Sequence, residues 1–209
     1  MAGTATLPRL VDWLTRFRDA VAENQAYLTE LDSAIGDADH GSNMTRGMNA
    51  VIGKIGEPEA VDALFKSVGM TLVSTVGGAS GPLYGTFFLR IGTTAGAVTE
   101  LDGEALSAAL RAGLAGVIQR GNAQPGDKTM VDALTPALDA FDASLSKGDD
   151  LATASRAAAD AAAKGRDDTE PLVARKGRAS YLGERSAGHL DPGATSTALL
   201  FEALAQALA

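Results

Sequence analysis

Residues 10–31, LVDWLTRFRDAVAENQAYLTEL, carry the pattern that decides the fold class of this chain. Apolar side chains recur there at helical intervals, which places them on one face of an α-helix. The members of this stripe are Leu10, Leu14, Phe17, Val21, Leu28 and Leu31. Asn24 is the one polar residue among them. We therefore predict that an amphipathic helix opens the fold.

The same helical spacing recurs along the rest of the chain, whereas strand patterns are weak. β-branched residues are scattered, and period-two alternation never persists beyond a few positions. No linker-like composition divides the 209 residues. The sequence therefore predicts an all-α fold in a single domain, residues 1–209. About eight helices are expected, the first one and others near residues 43–55, 60–75, 82–98, 104–119, 129–145, 151–166 and 194–208.

The composition excludes several classes of protein. Hydrophobic residues make up 45% and charged residues 21% of the chain, which is a globular balance. A net charge of -8 repels phosphate backbones and anionic lipid, so we expect neither nucleic acid nor a membrane surface as a partner. There is no cysteine, no pattern typical of a signal peptide and no uninterrupted apolar span. We expect a cytoplasmic protein.

Residues 31–41, LDSAIGDADHG, place three carboxylates in a glycine-punctuated turn after the first helix. Asp32, Asp37 and Asp39 repel one another there unless a cation neutralises them. Hard cations such as Mg²⁺ take oxygen ligands, and the spacing differs from that of a calcium-binding EF-hand. Because Asp also favours helix caps and turns, the spacing alone leaves a purely structural role equally open.

Two further glycine-rich segments are candidates for phosphate binding. In residues 77–82, GGASGP, Ser80 and Pro82 favour a helix start, whose amides bind anions, although such turns are also common punctuation. Residues 121–129, GNAQPGDKT, nearly spell a Walker phosphate loop, but an aspartate precedes the lysine and a predicted helix precedes the segment. We reject that interpretation. Lys128 either faces phosphate or pairs with Asp127 or Asp132.

Residues 169–193, which we name the cap loop, form a stretch of about two dozen residues without helical periodicity. Its segment 175–186, RKGRASYLGERS, is the most basic part of an acidic chain. A mobile basic loop can close over a polyphosphate, and a solvated loop is the alternative. His40 and His189 both lie in glycine-rich segments. Three roles are open for them: phosphoryl carrier, acid–base group or loop anchor.

Four segments in order across residues 31–196 resemble one family: LDSAIGDADHG, GGASGPLYGTFF, PGDKTMVDAL and RKGRASYLGERSAGHLDPGATS. They are similar to the ADP-binding L subunit of phosphotransferase-dependent dihydroxyacetone kinase. The resemblance implies an antiparallel barrel of eight helices. It also implies that ADP or ATP and two Mg²⁺ ions bind at one end of the barrel, beneath the cap loop.

The resemblance implies roles for individual residues. Asp32, Asp37 and Asp39 match the metal ligands of the family, and Arg178 matches a nucleotide contact that we expect to act in catalysis by offsetting phosphate charge. The other expected nucleotide contacts are His40, Gly41, Ser42, Asn43, Ala79, Ser80, Gly121, Met130, Asp191, Pro192 and Gly193.

The resemblance further implies a phosphotransferase that works with two partner proteins. A phosphohistidine on an M subunit converts bound ADP to ATP, and the phosphate passes to dihydroxyacetone held by a K subunit. A diphosphate and three aspartates carry roughly six negative charges, which two Mg²⁺ ions and Arg178 would largely offset. Two alternatives are the nucleotide domain of an ATP-dependent dihydroxyacetone kinase and a nucleotide-loaded regulatory module.

Overall fold

Helices dominate the computed structural model, which describes residues 3–209. Two strands of two residues each, β1 (Ala5–Thr6) and β2 (Glu100–Leu101), pair antiparallel, and a 3-10 helix spans Arg178–Ser186. The predicted all-α class is confirmed. The α-helices are α1 (Leu7–Glu23), α2 (Gln25–Ile35), α3 (His40–Lys54), α4 (Val61–Thr75), α5 (Ser80–Ala95), α6 (Gly103–Gly121), α7 (Val131–Ser146), α8 (Leu151–Asp167) and α9 (Pro192–Leu208).

The helix predicted over residues 10–31 is broken at Asn24, the polar residue of its apolar stripe. The Asn24 side chain donates a hydrogen bond from Nδ2 to the Ala20 carbonyl oxygen, 2.9 Å away, and the backbone there leaves helical geometry. The chain resumes helical bonding at once, because the Leu28 amide donates to the Asn24 carbonyl oxygen. If α1 and α2 are counted as one broken helix, the described residues contain the eight expected helices.

Eight helices form a closed ring around the core. Neighbouring pairs run from α3 through α4, α5, α6, α7 and α8 to α9, and α1 closes the ring by packing against both α9 and α3. The core contains an aromatic cluster in which Trp13, Phe65 and Phe88 lie with ring centroids 5.8–5.9 Å apart. The Trp13 indole nitrogen donates to the Leu200 carbonyl oxygen, which ties α1 to α9. The expected barrel is therefore present.

Glycine lets two helices of the ring approach closely. Gly69 on α4 faces Gly85 on α5, and a Cβ added at Gly69 would lie 2.7 Å from the Gly85 carbonyl oxygen. Any larger residue at this crossing would force the helices apart.

The ring has two different ends. The starts of α3, α5, α7 and α9 and the end of α6 lie together at one end, around a cavity. The β1–β2 pair lies at the start of α6 and so marks the opposite end. Strands of two residues are too short to show alternation in the sequence. No helix within residues 3–209 is long and apolar enough to cross a membrane.

Candidate functional site

A cavity of about 750 Å³ occupies the end of the ring where the cap loop lies. Its lining includes acidic residues from α2 and the α2–α3 connection, and apolar side chains from α5, α6 and α7. Twelve residues predicted to form a site line it: Asp32, Asp37, Asp39, His40, Ala79, Ser80, Gly121, Met130, Arg178, Asp191, Pro192 and Gly193.

The three predicted metal-ligand aspartates are brought together at this cavity. One carboxylate oxygen from each of Asp32, Asp37 and Asp39 lies within 4.8 Å of the other two. Asp32 is buried, and its Oδ2 accepts hydrogen bonds from the amides of Asp39 at 2.7 Å and His40 at 3.0 Å. The turn thus folds around Asp32. A Cβ at Gly36 would lie 2.0 Å from Asp32 Oδ1, so only glycine allows this close approach.

The structural alternative for this cluster accounts for Asp32 alone. Asp32 satisfies the first amide of α3 as a cap would. Among the described residues, the carboxylates of Asp37 and Asp39 accept no backbone hydrogen bond, and the one side-chain partner is Arg178, whose Nη2 lies 3.0 Å from Asp37 Oδ2. One exposed guanidinium offsets three carboxylates weakly. The remaining negative charge and the all-oxygen donor set fit a hard divalent cation.

His40 is held on both sides of its ring. Nδ1 is hydrogen-bonded to Ser80 Oγ at 3.1 Å, and Nε2 is hydrogen-bonded to Ser196 Oγ at 3.0 Å. Ser196 also bonds to the hydroxyl of Tyr84, so three helices meet at this buried chain. Burial lowers the pKa of His40, although the charges of Asp32 and Asp39 raise it. A buried ring with both nitrogens occupied suits positioning of neighbouring groups better than phosphoryl transfer.

The glycine-rich turn leads into α5 beside the cavity. The helix begins at Ser80, two residues before Pro82, and the Ser80 hydroxyl bonds to His40 rather than capping the helix. Gly78 adopts a φ of +64°, a conformation that glycine tolerates. Residues at the start of α5 line the cavity, and the first amides of a helix have no intrahelical acceptor, which makes them available to an anion.

Three predicted nucleotide contacts lie just behind the cavity wall. A Cβ at Gly41 would lie 2.1 Å from the Gln25 carbonyl oxygen, so Gly41 is the point where α3 touches α2. Ser42 donates to the Asp39 carbonyl oxygen, and Asn43 accepts a hydrogen bond from Arg46. None of the three residues lines the cavity, so their expected contact with nucleotide remains a prediction.

Asp191 is buried at the start of α9, where its carboxylate caps the helix. Oδ2 accepts a hydrogen bond from the Ala194 amide at 2.7 Å. Burial raises the pKa of Asp191 to about 7, with help from the charges of Asp132 and Asp32, while the Ala194 bond and Lys128 oppose the rise. This carboxyl group therefore holds a proton to higher pH than an exposed aspartate does.

Lys128 pairs with neither of the aspartates considered for it. Asp127 Oδ2 accepts from the Gln124 amide, and Asp132 accepts from the amides of Gly126 and Thr129. The Lys128 ammonium is instead surrounded by backbone carbonyl oxygens. The structural role is therefore the one that the contacts support.

Several cavity residues were not predicted. The apolar ones, such as Leu83 and Val117, follow helical spacing and cannot be told apart from core residues in the sequence. Arg120, Lys176 and Tyr181 lie at the cavity edge. Lys176 and Tyr181 belong to the basic segment, so their position was the one detectable signal.

Known proteins match this chain over almost its whole length. The model of the DAK2 domain family matches residues 34–206. The ADP-binding subunit DhaL of the PEP-dependent dihydroxyacetone kinase of Escherichia coli (strain K12) is 47% identical, over 95% of this chain and 96% of the relative. The ADP-binding subunit DhaL of the PTS-dependent dihydroxyacetone kinase of Lactococcus lactis is 44% identical, over 98% and 99%.

A solved structure shares the fold. The dihydroxyacetone kinase of C. freundii in complex with AMP-PNP and Mg²⁺ superposes with a TM-score of 0.74 at 27% identity. The match covers 99% of this chain and 35% of that protein, so this chain corresponds to about a third of it. The resemblance seen in the four sequence segments is confirmed by these matches, and the chain belongs to the DAK2 domain family.

Proposed function

We propose that this chain is the ADP-binding subunit of a phosphotransferase-dependent dihydroxyacetone kinase, with residues 1–209 forming one nucleotide-binding domain. The observation that carries the proposal is the carboxylate cluster, in which Asp32, Asp37 and Asp39 meet at the wall of a cavity of about 750 Å³. Full-length relatives named as ADP-binding subunits support the choice of nucleotide.

The acidic wall fits magnesium better than it fits a purely structural role. Asp32, Asp37 and Asp39 would hold two Mg²⁺ ions, using carboxylate oxygens that lie within 4.8 Å of one another. Bound magnesium supplies positive charge that neutralises phosphate oxygens during transfer. The protein contributes by fixing Asp32 through two amide hydrogen bonds, which sets the position of the other two carboxylates.

The remaining cavity wall suits a nucleotide diphosphate. The amides at the start of α5, beside Ala79 and Ser80, provide donors for phosphate oxygens. Leu83, Val117 and Met130 provide an apolar surface suited to a flat base. Gly121, Pro192 and Gly193 leave room for close approach, and His40 holds Ser80 in place.

Arg178 is the proposed catalytic residue, and it lies on the cap loop with a mostly exposed side chain. Its Nη2 lies 3.0 Å from Asp37 Oδ2. A cation on Asp37 would release the guanidinium toward phosphate oxygens, where a charged fork stabilises developing charge. No nucleophile of this chain is needed for transfer, since positioning and charge neutralisation suffice.

Two partners follow from this function. We propose that a phosphohistidine-carrying M subunit delivers phosphate to bound ADP and that a dihydroxyacetone-binding K subunit receives it at the same end of the ring. Neither nucleic acid nor a membrane takes part in the proposed reaction, and a cytoplasmic location stays a prediction.

The purified protein tests the proposal directly. Mass spectrometry and metal analysis should find ADP and magnesium bound together. Addition of a K subunit, dihydroxyacetone and a phosphorylated M subunit should then yield dihydroxyacetone phosphate. Ready exchange with ATP in solution would favour an ATP-dependent kinase, and nucleotide binding without any transfer would favour a regulatory module.

A further inference from the structure

Lys128 lies in the connection between α6 and α7 with almost no exposure to solvent. Its side chain is 1% exposed, and its backbone adopts a φ of +63°, which a residue other than glycine rarely takes. The ammonium nitrogen Nζ lies within hydrogen-bond distance of four carbonyl oxygens, those of Thr169 at 2.9 Å, Glu170 at 3.3 Å, Leu172 at 3.1 Å and His189 at 2.5 Å. The Lys128 ammonium is therefore hydrogen-bonded to backbone carbonyl oxygens in place of water.

These four carbonyls come from both ends of the cap loop. Residues 169–172 follow α8, and His189 lies three residues before Pro192, where α9 begins. An ammonium group has three N–H donors, so four carbonyl oxygens occupy all of them. Although Lys128 lines the cavity, it has no free donor for a phosphate group. It can influence a bound nucleotide through the position of the cap loop.

Other hydrogen bonds fasten the same base of the cap loop. The Arg175 amide donates to the Asp127 carbonyl oxygen at 3.0 Å, and the Gly188 amide donates to the Glu170 carbonyl oxygen at 2.8 Å. Buried Ser186 accepts from the Ala174 amide at 2.8 Å. Most residues of the 3-10 helix, apart from Ala179 and Ser186, are exposed or half-buried.

The open part of the cap loop carries the residue that reaches the carboxylate cluster. The side chain of Arg178 is 65% exposed and touches Asp37, while Tyr181 is 87% exposed. Within residues 3–209, backbone hydrogen bonds do not hold this segment against a helix of the ring. The direction in which the loop leaves its base therefore contributes to the position of Arg178 over the cavity, together with the packing of Ala179 and Leu182 against Ile35.

We propose that Lys128 is a positioning residue that joins the two ends of the cap loop and thereby sets how long the chain retains its nucleotide. The inference rests on the proposed function, because it takes Mg-ADP as the ligand beneath the loop. Without the ammonium, the carbonyl oxygens of Leu172 and His189 lose their donor, those of Thr169 and Glu170 keep only an amide donor, and the base of the loop opens to admit water. Arg178 then spends less time over the cavity.

The test compares Lys128→Met with wild type, using the full chain. Hydrogen exchange of nucleotide-free protein measures loop closure, and displacement of a fluorescent ADP analogue in the presence of magnesium measures release. We expect faster exchange across residues 169–190 and a release rate that is roughly ten- to a hundredfold higher. Lys128→Gln, which keeps N–H donors but no charge, should fall between the two. It replaces Lys128→Met if circular dichroism shows that Lys128→Met is unfolded.

A second substitution separates positioning from loss of stability. Arg178→Ala should itself speed release, and adding Lys128→Met to it should change the rate little, because both act through the same guanidinium. Lys54→Met is the matched control, since Lys54 is exposed near the end of α3 and has no hydrogen-bond or ion-pair partner within residues 3–209.

Three results would overturn the proposal: unchanged exchange in the cap loop of Lys128→Met, unchanged ADP release, or multiplication of the two rate effects in the double variant. If wild type binds no Mg-ADP, the proposed function fails and the claim about retention fails with it. Hydrogen exchange in nucleotide-free protein would still show whether Lys128 closes the base of the loop, which distinguishes the two failures.

Discussion

The carboxylate cluster and the Lys128 site lie at the same end of the ring but handle charge in opposite ways. Asp37 and Asp39 face a cavity and, among the described residues, accept no backbone hydrogen bond. Lys128 is buried, and backbone carbonyl oxygens occupy its donors. Both segments are short, charged and rich in glycine. Local partners, rather than charge, therefore distinguish a ligand site from a structural one. We call the carboxylate cluster the open region, and the buried, hydrogen-bonded Lys128, Asp191 and Tyr84 the closed region.

The largest effect should come from removing a carboxylate of the open region. Asp37→Ala deletes one proposed cation ligand, so we expect the affinity for Mg-ADP to fall by at least about a hundredfold and kinase turnover to disappear. Helical content should not change, because the one side-chain partner of Asp37 within residues 3–209 is the exposed Arg178. Calorimetry of ADP binding and circular dichroism measure the two quantities.

Asp139→Ala is the matched control for that substitution. Asp139 is an exposed aspartate on α7 that pairs with Arg111, away from the cavity. The Asp139→Ala variant should bind Mg-ADP with the affinity of wild type. Tight ADP binding by Asp37→Ala at low magnesium would contradict the role of the cluster.

Arg178 tests whether the two regions act together, because it lies on the loop that Lys128 closes and contacts the cluster. Loss of a charge-assisted contact costs about 2 kcal/mol, so Arg178→Ala should weaken ADP binding by roughly thirtyfold. Arg178→Lys should recover part of the loss, since it keeps the charge without the fork. Arg185→Ala, a neighbour on the same loop outside the cavity lining, should bind normally. Equal affinities for all three variants would remove Arg178 from the site.

Asp191 tests the closed region through pH. Because its pKa of about 7 in the folded chain exceeds the value of 3.8 expected when unfolded, the folded state holds an extra proton between these values. Stability must therefore fall as pH rises through 7, by about 1.4 kcal/mol between pH 6 and pH 8 from this group. Asp191→Asn should lose that part of the decline, as urea unfolding in EDTA would measure.

A second capping aspartate provides the control for the pH experiment. Asp150 caps α8 by accepting from the Thr153 amide, and this bond lowers its pKa. It is ionised in both states across this range, so Asp150→Asn should shift stability equally at pH 6 and pH 8. A decline in Asp191→Asn as steep as that of wild type would exclude Asp191 as its source.

The smallest expected effect also belongs to the closed region. The buried Tyr84 hydroxyl bonds to Ser196 at 2.8 Å and Thr197 at 3.2 Å, and burial raises the pKa of Tyr84 to about 12. Tyr84→Phe should lower the free energy of unfolding by about 1 kcal/mol. Tyr27→Phe, on exposed Tyr27, should not change it. Equal stability of the two variants would mean that the hydroxyl contributes nothing.

The open region was predictable because its residues are close together in the chain. Asp32, Asp37 and Asp39 fall within eight residues, and a turn is enough to bring them together. The helices were predictable from spacing for the same reason. The break at Asn24 was visible as one polar residue in the stripe, but the break itself depends on a side-chain bond to Ala20.

The closed region was not predictable because its partners are distant and have no sequence signature. The carbonyl groups around Lys128 belong to residues 41 to 61 positions away, and every residue has a carbonyl group. The 3-10 helix within the cap loop is likewise too short for its periodicity to be detected in the sequence. Only the folded chain shows in which charged segment the charged side chain is already hydrogen-bonded within the protein.

We propose that divalent cations make the carboxylate cluster a binding site for a diphosphate. The most direct measurement is the affinity of wild type for ADP by calorimetry, in excess magnesium and again in EDTA. We expect affinity to fall at least about a hundredfold without magnesium, because three carboxylates then repel the phosphates. ADP binding of equal strength in both solutions would contradict the account.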